Sequence, residues 1–304
     1  MKEMLEYIAK KHNLKLVEHV DGWVFEIGES PSLRIWGYTF DINDAVAQEF
    51  CRDKAAGGDM LQQHSVPVTP HVLLRRPTSI FSSPEGDWDA IKNKFTAWNK
   101  DVILKTNRGT GGANVVRCQS QKEIEVALTK LFMVSDAIIM NPYVEVLEEF
   151  RCVMYREELM IMYRKQRPEV TGDGVRTIRQ LVMDAYLDTQ SELVLRHMNT
   201  NYSMMDIPKM GEVCKLQWQH NLGRGATPVL IHKPIQEVVD VSKKAANALG
   251  VDFCSVDVIK TNNGYQIMEV NGGVMMKHFS TFSEENFQRA VAIYERVILD
   301  KVAI

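Results

Sequence analysis

The chain has 304 residues, of which 45% are hydrophobic and 25% charged, the balance of an ordinary globular protein. That length exceeds the usual single-domain size, so two or three packed lobes are expected. A net charge of −3 excludes a general attraction to nucleic acid or to anionic membranes, and no apolar run approaches a membrane span.

Met1-Lys2-Glu3-Met4 opens no signal-peptide pattern, so a cytoplasmic location is expected. Cys51, Cys118, Cys152, Cys214 and Cys254 are scattered singly, with no Cys-x-x-Cys, which argues against a disulfide framework and against a zinc site. The histidines form no His-x-x-x-His pair, and His278 alone stands in functional company.

In chain order, the periodicity predicts a helix over Lys2–Lys11 and strands around Leu16–Val20, Gly22–Ile27 and Leu33–Tyr38. A helix is expected from about Asn43 to Gln63, broken at Gly57-Gly58. Val66-Pro67-Val68-Thr69-Pro70 must be extended, because proline disfavours helix at itself and at the preceding residue. A compact lobe follows, with strands at His71–Leu74, Asp101–Lys105, Asn114–Cys118 and Asp136–Met140 and helices at Asp87–Asn99 and Gln121–Phe132. Asn141-Pro142-Tyr143 reads as a hinge out of this lobe. Beyond it come strands at Phe150–Tyr155 and Leu159–Lys165, a helix at Val175–Leu187, and a polar section over 188–212. A strand at Val213–His220, a helix at Pro234–Leu249, a β-hairpin and a helix from Glu284 to Leu299 close the chain. Alternating strands and helices favour α/β or α+β architecture.

The hairpin is the most informative stretch. Val256-Asp257-Val258-Ile259 and Tyr265-Gln266-Ile267-Met268-Glu269-Val270-Asn271 flank an Asn-Gly turn. Strand side chains alternate, so Glu269 and Asn271 share a face and a neighbouring strand can place Asp257 beside them. Two carboxylates and an amide are oxygen donors that suit a hard divalent ion. The same pattern also fits a hairpin whose polar face is simply wet.

Three other segments carry chemistry-bearing residues. Lys105 ends a strand and precedes a loop, Arg108-Gly109-Thr110-Gly111-Gly112, whose glycines let backbone N–H groups approach a phosphate. No Gly-Lys-Ser/Thr follows, so the loop is not a Walker A motif, and a flexible turn is the alternative. Asn221-Leu222-Gly223-Arg224-Gly225-Ala226-Thr227 sets an arginine between glycines, where it can clamp a phosphate or form part of a surface turn. Arg151, Arg164 and Arg167 lie on or beside adjacent strands.

Taken in order, Asp53-Lys54, Lys105 with its glycine loop, Pro142-Tyr143, Phe150-Arg151, Gly172-Asp173-Gly174, Asn221 to Ala226, and Asp257, Glu269 and Asn271 resemble the ATP-grasp carboxylate–amine ligases. The resemblance covers roughly residues 50–280 and is nearest to the branch of cyanophycin synthetases, glutathione-type ligases and ribosomal-protein glutamate ligases. It implies an α+β ATP-grasp fold: two α+β lobes gripping ATP, with a shortened N-terminal domain. The divisions would be a shortened amino-terminal region over 1–52, a central lobe over 53–140 and a carboxy-terminal lobe with the metal site over 141–304.

The resemblance also implies roles. Lys54 and Lys105 would contact ATP phosphates under the loop of Gly109, Thr110, Gly111 and Gly112. The interlobe segment with Pro142 and Val144 would meet the adenine edge, and Glu149, or with less support Glu148, the ribose. Arg151, Arg167, Asn221 and Arg224 would serve the γ-phosphate and acyl-phosphate region. Asp257, Glu269 and Asn271 would bind two Mg²⁺ ions, with Mn²⁺ able to substitute. Asn141 and Gly272-Gly273-Val274-Met275-Met276 depart from the usual pattern, leaving the adenine contacts and the acceptor pocket individual to this chain.

The expected activity is ATP-dependent amide formation between a carboxylate, of an amino acid or peptide, and an amine, through an acyl phosphate, with ADP and phosphate released. Alternatives are a ligase acting on a protein or carrier-bound tail and a non-catalytic ATP-binding regulator. Small-molecule substrates are the expected partners, without nucleic acid or membrane; self-association into a homo-oligomer is compatible with the sequence.

Overall fold

The computed structural model describes residues 1–30, 32–76, 87–109, 111–186, 194–196, 198 and 202–302. Helix α1 (Lys2–His12) precedes a meander of β1 (Leu16–His19), β2 (Val24–Gly28), β3 (Ser32–Trp36) and β4 (Thr39–Phe40), paired antiparallel in that order. Helices α2 (Ala45–Arg52) and α3 (Lys54–Gln63) follow. The expected single helix does break, but at Asp53, not at the glycine pair. Asp53 is extended (φ −98°, ψ 101°) and its carboxylate accepts from the Ala56 N–H at 3.0 Å, capping α3. The glycines serve close packing instead. A Cβ on Gly58 would lie 2.5 Å from the His71 ring, and one on Gly57 2.5 Å from the Phe50 carbonyl oxygen.

The next lobe is an antiparallel sheet in the order β5 (Val72–Arg75), β8 (Ala137–Pro142), β6 (Val102–Thr106), β7 (Val115–Cys118). It packs with α4 (Trp88–Ala97) and α5 (Gln121–Phe132) through Leu74, Phe95, Leu104, Ile124, Leu131 and Met140. Helix α5 starts at a reciprocal cap between Ser120 and Glu123.

The larger lobe is a five-stranded antiparallel sheet in the order β13 (Thr227–Leu230), β10 (Glu158–Gln166), β9 (Glu148–Tyr155), β14 (Phe253–Thr261), β15 (Gly264–Asn271). One face is apolar where Phe150, Cys152, Val256 and Val258 meet Val238, Ala245 and Leu249 of α7 (Gln236–Leu249). The other face is divided. At one end Tyr155, Tyr163 and Phe253 join a core with Leu5, Ile8, Phe25 and Phe40, together with Phe279 of α8 (Lys277–Ser280) and Tyr294 and Val297 of α9 (Glu284–Val302). At the other end the same face carries charge.

A short hairpin of β11 (Glu169–Thr171) and β12 (Val213–Lys215) sits beside α6 (Ile178–Ala185). Two expectations are corrected here. Helix α6 begins only at Ile178, because the Thr177 side chain caps it reciprocally with Gln180. The strand expected over Val213–His220 stops at Lys215, because the chain bends and Leu216 hydrogen-bonds to the Pro168 carbonyl. The expected helix end at Leu187 and much of the polar section over 188–212 lie outside the described residues.

Candidate active site

The carboxy-terminal hairpin forms as its sequence requires, with Thr261 opposite Gly264, whose φ of 101° suits glycine. A register irregularity between Asp257 and Val258 lets Ile267 and Val270 both face the core while Glu269 and Asn271 face the polar end. Asp257 is therefore directly opposite Glu269 on β15 and opposite Arg151 on β9, and Ser255 is opposite Asn271. The three oxygen donors anticipated from alternation share one face.

Behind them is a buried charge network. Two Arg151 guanidinium N–H groups donate to the two Asp257 oxygens, each at 2.7 Å. Lys165 Nζ lies 2.9 Å from Asp257 Oδ1 and donates to Glu149 Oε1 at 2.5 Å. Asp257, Glu149 and Lys165 are 3%, 4% and 5% exposed, so these charges are desolvated and hold one another in place. Burial opposes ionisation of Asp257, but Arg151 and then Lys165 outweigh it and hold the carboxyl at about 2. Glu149 moves the other way: burial raises its pKa, Lys165 opposes and Asp257 adds to the rise.

Glu149, expected at the ribose, here turns its carboxylate into this network and pairs with Lys165. Glu148, on the opposite face, pairs with Arg164 at 3.0 Å and Lys260 at 3.3 Å. Sequence reading missed Lys165. Its position, two residues beyond the Tyr163 that lies opposite Arg151, puts it on the charged face by simple alternation.

Two lysines approach the polar end from different sides, Lys105 at the end of β6 in the smaller lobe and Lys54 at the start of α3, whose Leu61 packs into the core of the larger lobe. Lys54 Nζ donates to the Gly109 carbonyl at 2.6 Å and ion-pairs with Glu269 at 3.0 Å. The loop is anchored to the start of α3, where Asn107 Oδ1 accepts from the Ala55 N–H at 3.0 Å. Burial pushes the Lys105 ammonium below its ordinary pKa; Glu269 opposes this and Lys54 adds to it, which places all three in one field. Across the cleft, Asn221 Nδ2 donates to the Gly111 carbonyl at 3.1 Å and Arg224 Nη2 to the Gly112 carbonyl at 2.8 Å. Gly112 has φ +70°, and a Cβ there would lie 3.0 Å from Asn221 Nδ2. The two glycine-flanked loops are therefore in direct contact. Thr110 lies outside the described residues.

The interlobe segment is less open than expected. Strand β8 continues through Asn141 to Pro142, and the Tyr143 N–H is used by the Asp101 carbonyl at 2.9 Å. Val144 is half-buried beyond it. Arg167 Nη2 reaches the Val146 carbonyl at 3.4 Å, so this arginine lies against the interlobe segment, not beside Asn221 and Arg224. The Arg117 guanidinium stacks over the Tyr143 ring at 3.5 Å, and Trp218 meets that ring edge-on at 6.5 Å. Nearby, Gln217 is 3% exposed with neither side-chain amide atom partnered.

A metal would be held by Asp257, Glu269 and Asn271. Among the described residues no group of three or more His, Cys, Asp or Glu side chains could hold an ion by itself. The two carboxylates in cross-strand register plus the Asn271 amide nevertheless form a hard-oxygen set that fits a divalent ion such as Mg²⁺. Lys54, Arg151 and Lys165 neutralise that set here.

Comparison with known proteins supports the same architecture. The RimK-like ATP-grasp domain family matches residues 209–294. A probable alpha-L-glutamate ligase of Psychromonas ingrahamii is 22% identical over 250 residues, covering 82% of this chain and 64% of that protein. The glutathione biosynthesis bifunctional protein of Clostridium perfringens is 25% identical over 226 residues, 65% of this chain and 28% of that protein. The chain thus spans less than two thirds of the length of these curated relatives. Among solved structures, a bifunctional glutathione synthetase from Pasteurella multocida superposes with a TM-score of 0.57 at 13% identity, covering 97% of this chain and 44% of the other. D-alanine–D-alanine ligase from Bacillus anthracis complexed with ATP gives 0.54 at 13% identity, covering 86% and 67%. No helix of the described residues is long and apolar enough to cross a membrane. The RimK-like ATP-grasp match spans the carboxy-terminal hairpin, and the two lobes have the fold of the ATP-grasp ligases of known structure to which the chain is similar.

Proposed function

We propose that the chain is an ATP-dependent ligase that joins the carboxylate of an amino acid or peptide to an amine, releasing ADP and phosphate. The observation that carries this reading is the convergence at Lys54. One ammonium touches both the glycine loop and Glu269, so a phosphate cation, a phosphate-covering loop and a candidate metal carboxylate meet at one point. The names of the relatives support the substrate class, since one is a probable alpha-L-glutamate ligase and the other a glutathione biosynthesis protein.

The chemistry asks for what these residues supply. A carboxylate is a poor acyl electrophile until one of its oxygens has attacked the γ-phosphate of ATP. Lys54 and Lys105 would hold β- and γ-phosphate oxygens as point charges, and Arg224 and Asn221 would hold the transferring group from the glycine-flanked loop that meets Gly111 and Gly112. Divalent ions held by Asp257, Glu269 and Asn271 would neutralise the charge that develops between the phosphates. Arg151, beside Asp257, would stabilise the acyl phosphate before the amine displaces phosphate from the acyl carbon. Closure of the Gly109–Gly112 loop would exclude water from that labile intermediate. Positioning and electrostatics do the work, which is why no nucleophilic Ser or Cys arrangement is needed.

The test supplies the protein with ATP, Mg²⁺ and a pool of the twenty L-amino acids with simple dipeptides, and separates the nucleotides. Pool-dependent ADP with matching phosphate and a new amide supports the reading. AMP with pyrophosphate overturns it. ATP binding without pool-dependent turnover favours a non-catalytic regulator.

A further inference from the structure

We propose that His278 is the base that takes the proton from the attacking amine. This rests on the ligase reading above and adds a residue to it. Phe279 stacks on the Tyr163 ring with centroids 4.8 Å apart, and Tyr163 stands opposite Arg151 in the β9–β10 register. That stack fixes the short helix α8 against the charged face, with His278 at its edge. A Cβ on Gly223 would lie 3.4 Å from His278 Nε2 and 3.3 Å from Asn221 Oδ1, so the imidazole and the amide flank the same side of the Asn221–Arg224 loop. The imidazole is half-buried, and among the described residues neither ring nitrogen has a hydrogen-bond partner. It borders the place where acyl phosphate and amine must meet.

Its surroundings keep it a base. Burial lowers the His278 pKa first, and Lys277 on its own helix and Arg151 on β9 lower it further. Arg224, on the adjoining turn, points away to Gly112 and Gln219. Helix α9 contributes Tyr294, whose hydroxyl is occupied by the Met276 N–H and the Val274 carbonyl. The imidazole is therefore neutral at neutral pH, with a lone pair free to accept. The step balances. The amine nitrogen forms the C–N bond, its proton passes to an imidazole nitrogen, and the acyl C–O bond breaks with its electron pair leaving on phosphate. Rotation of the half-buried ring can then return the proton to solvent.

The test compares the wild type with H278Q and H278A, using ATP, Mg²⁺ and the same pool of L-amino acids and dipeptides, with and without hydroxylamine. Hydroxylamine is unprotonated at neutral pH and is a strong nucleophile, so it depends far less on a base. H278Q is expected to lose amide formation by about a hundredfold, in the range of general-base contributions. Hydroxamate formation from the same carboxylates should fall far less, and added imidazole should partly restore H278A. Wild-type turnover should decline as pH falls below the ordinary imidazole range, and H278Q should lack that limb. Equal loss of amide and hydroxamate, or amide formation by H278Q at the wild-type rate, overturns the role of His278 while the ligase reading stands. Absence of any pool-dependent ADP from the wild type overturns both.

Discussion

Arg151 and Asp257 face each other across β9 and β14, and the guanidinium closes both carboxylate oxygens at 2.7 Å. Lys165 reaches the same carboxylate at 2.9 Å. Asp257 is thus both a candidate metal ligand and the centre of a buried ion cluster. Its two faces of function predict different consequences from those of Glu269, which is half-buried and, among the described residues, ion-paired with Lys54.

Replacing either carboxylate should abolish turnover, but only one replacement should weaken the fold. D257N and E269Q are each expected to lower kcat by at least about a thousandfold, because divalent ions held there would carry transition-state charge. D257N also leaves Arg151 and Lys165 with one remaining carboxylate, and breaking a buried pair costs about 3–5 kcal/mol. Steady-state kinetics at saturating Mg²⁺ and thermal melting of both variants check this. Wild-type turnover in either would defeat the metal assignment, and an unchanged D257N melting temperature would defeat the structural one.

Lys105 should matter to nucleotide binding and not to folding. Burial disfavours its ammonium, so removing the charge carries no stability penalty. K105M is expected to weaken ATP binding severely with a melting temperature at or above that of the wild type. Calorimetric titration with ATP measures the first, and unchanged affinity would show that the lysine serves no phosphate.

The polar face of the β14–β15 hairpin was legible because strand alternation and an Asn-Gly turn leave little freedom in where Asp257, Glu269 and Asn271 point. The glycine loop and the Asn221–Arg224 loop could each be read as a turn, yet their contact is set by how segments more than a hundred residues apart pack together. No local pattern encodes it. The pairing of Glu149 was hidden for a related reason: whether a strand carboxylate faces solvent or an interior lysine depends on the partner strand, and Lys165 lies sixteen residues further along. The helix break at Asp53 was hidden because glycine is the louder signal of a break, while an aspartate cap is the stronger cause. Gln217 carries no motif at all and becomes visible only through its burial, whereas His278 stood out by its place after the hairpin but its neighbours did not.

The contact between the loops predicts a change in susceptibility to proteases. Asn221 and Arg224 hold the carbonyls of Gly111 and Gly112. R224A should release the glycine loop and speed proteolytic nicking within 107–113 several-fold, with a smaller effect elsewhere in the chain. Mass mapping of limited digests reads the site and the rate. Nicking unaltered by R224A would mean that the arginine does not restrain the loop.

His220 provides a pH signature of the fold independent of catalysis. Its Nδ1–H donates to the Lys165 carbonyl at 2.7 Å, and Nε2 is buried without a partner among the described residues. Burial pushes the imidazole pKa down to about 3; the bond to Lys165 opposes this, and Arg167 and Lys165 add to the fall. The folded state therefore keeps His220 neutral while the unfolded chain takes up a proton near the ordinary histidine pKa of about 6.5. Stability should fall as pH drops from about 6.5 towards about 3, by up to one proton per molecule, and level off below the folded pKa. H220Q removes that titration and should flatten this part of the profile, although the carboxylates impose their own loss at the acid end. Urea denaturation at a series of pH values measures the slope. An identical slope for the wild type and H220Q between pH 6.5 and 5, where few carboxylates titrate, would show that His220 accepts its proton in the folded state as readily as in the unfolded chain.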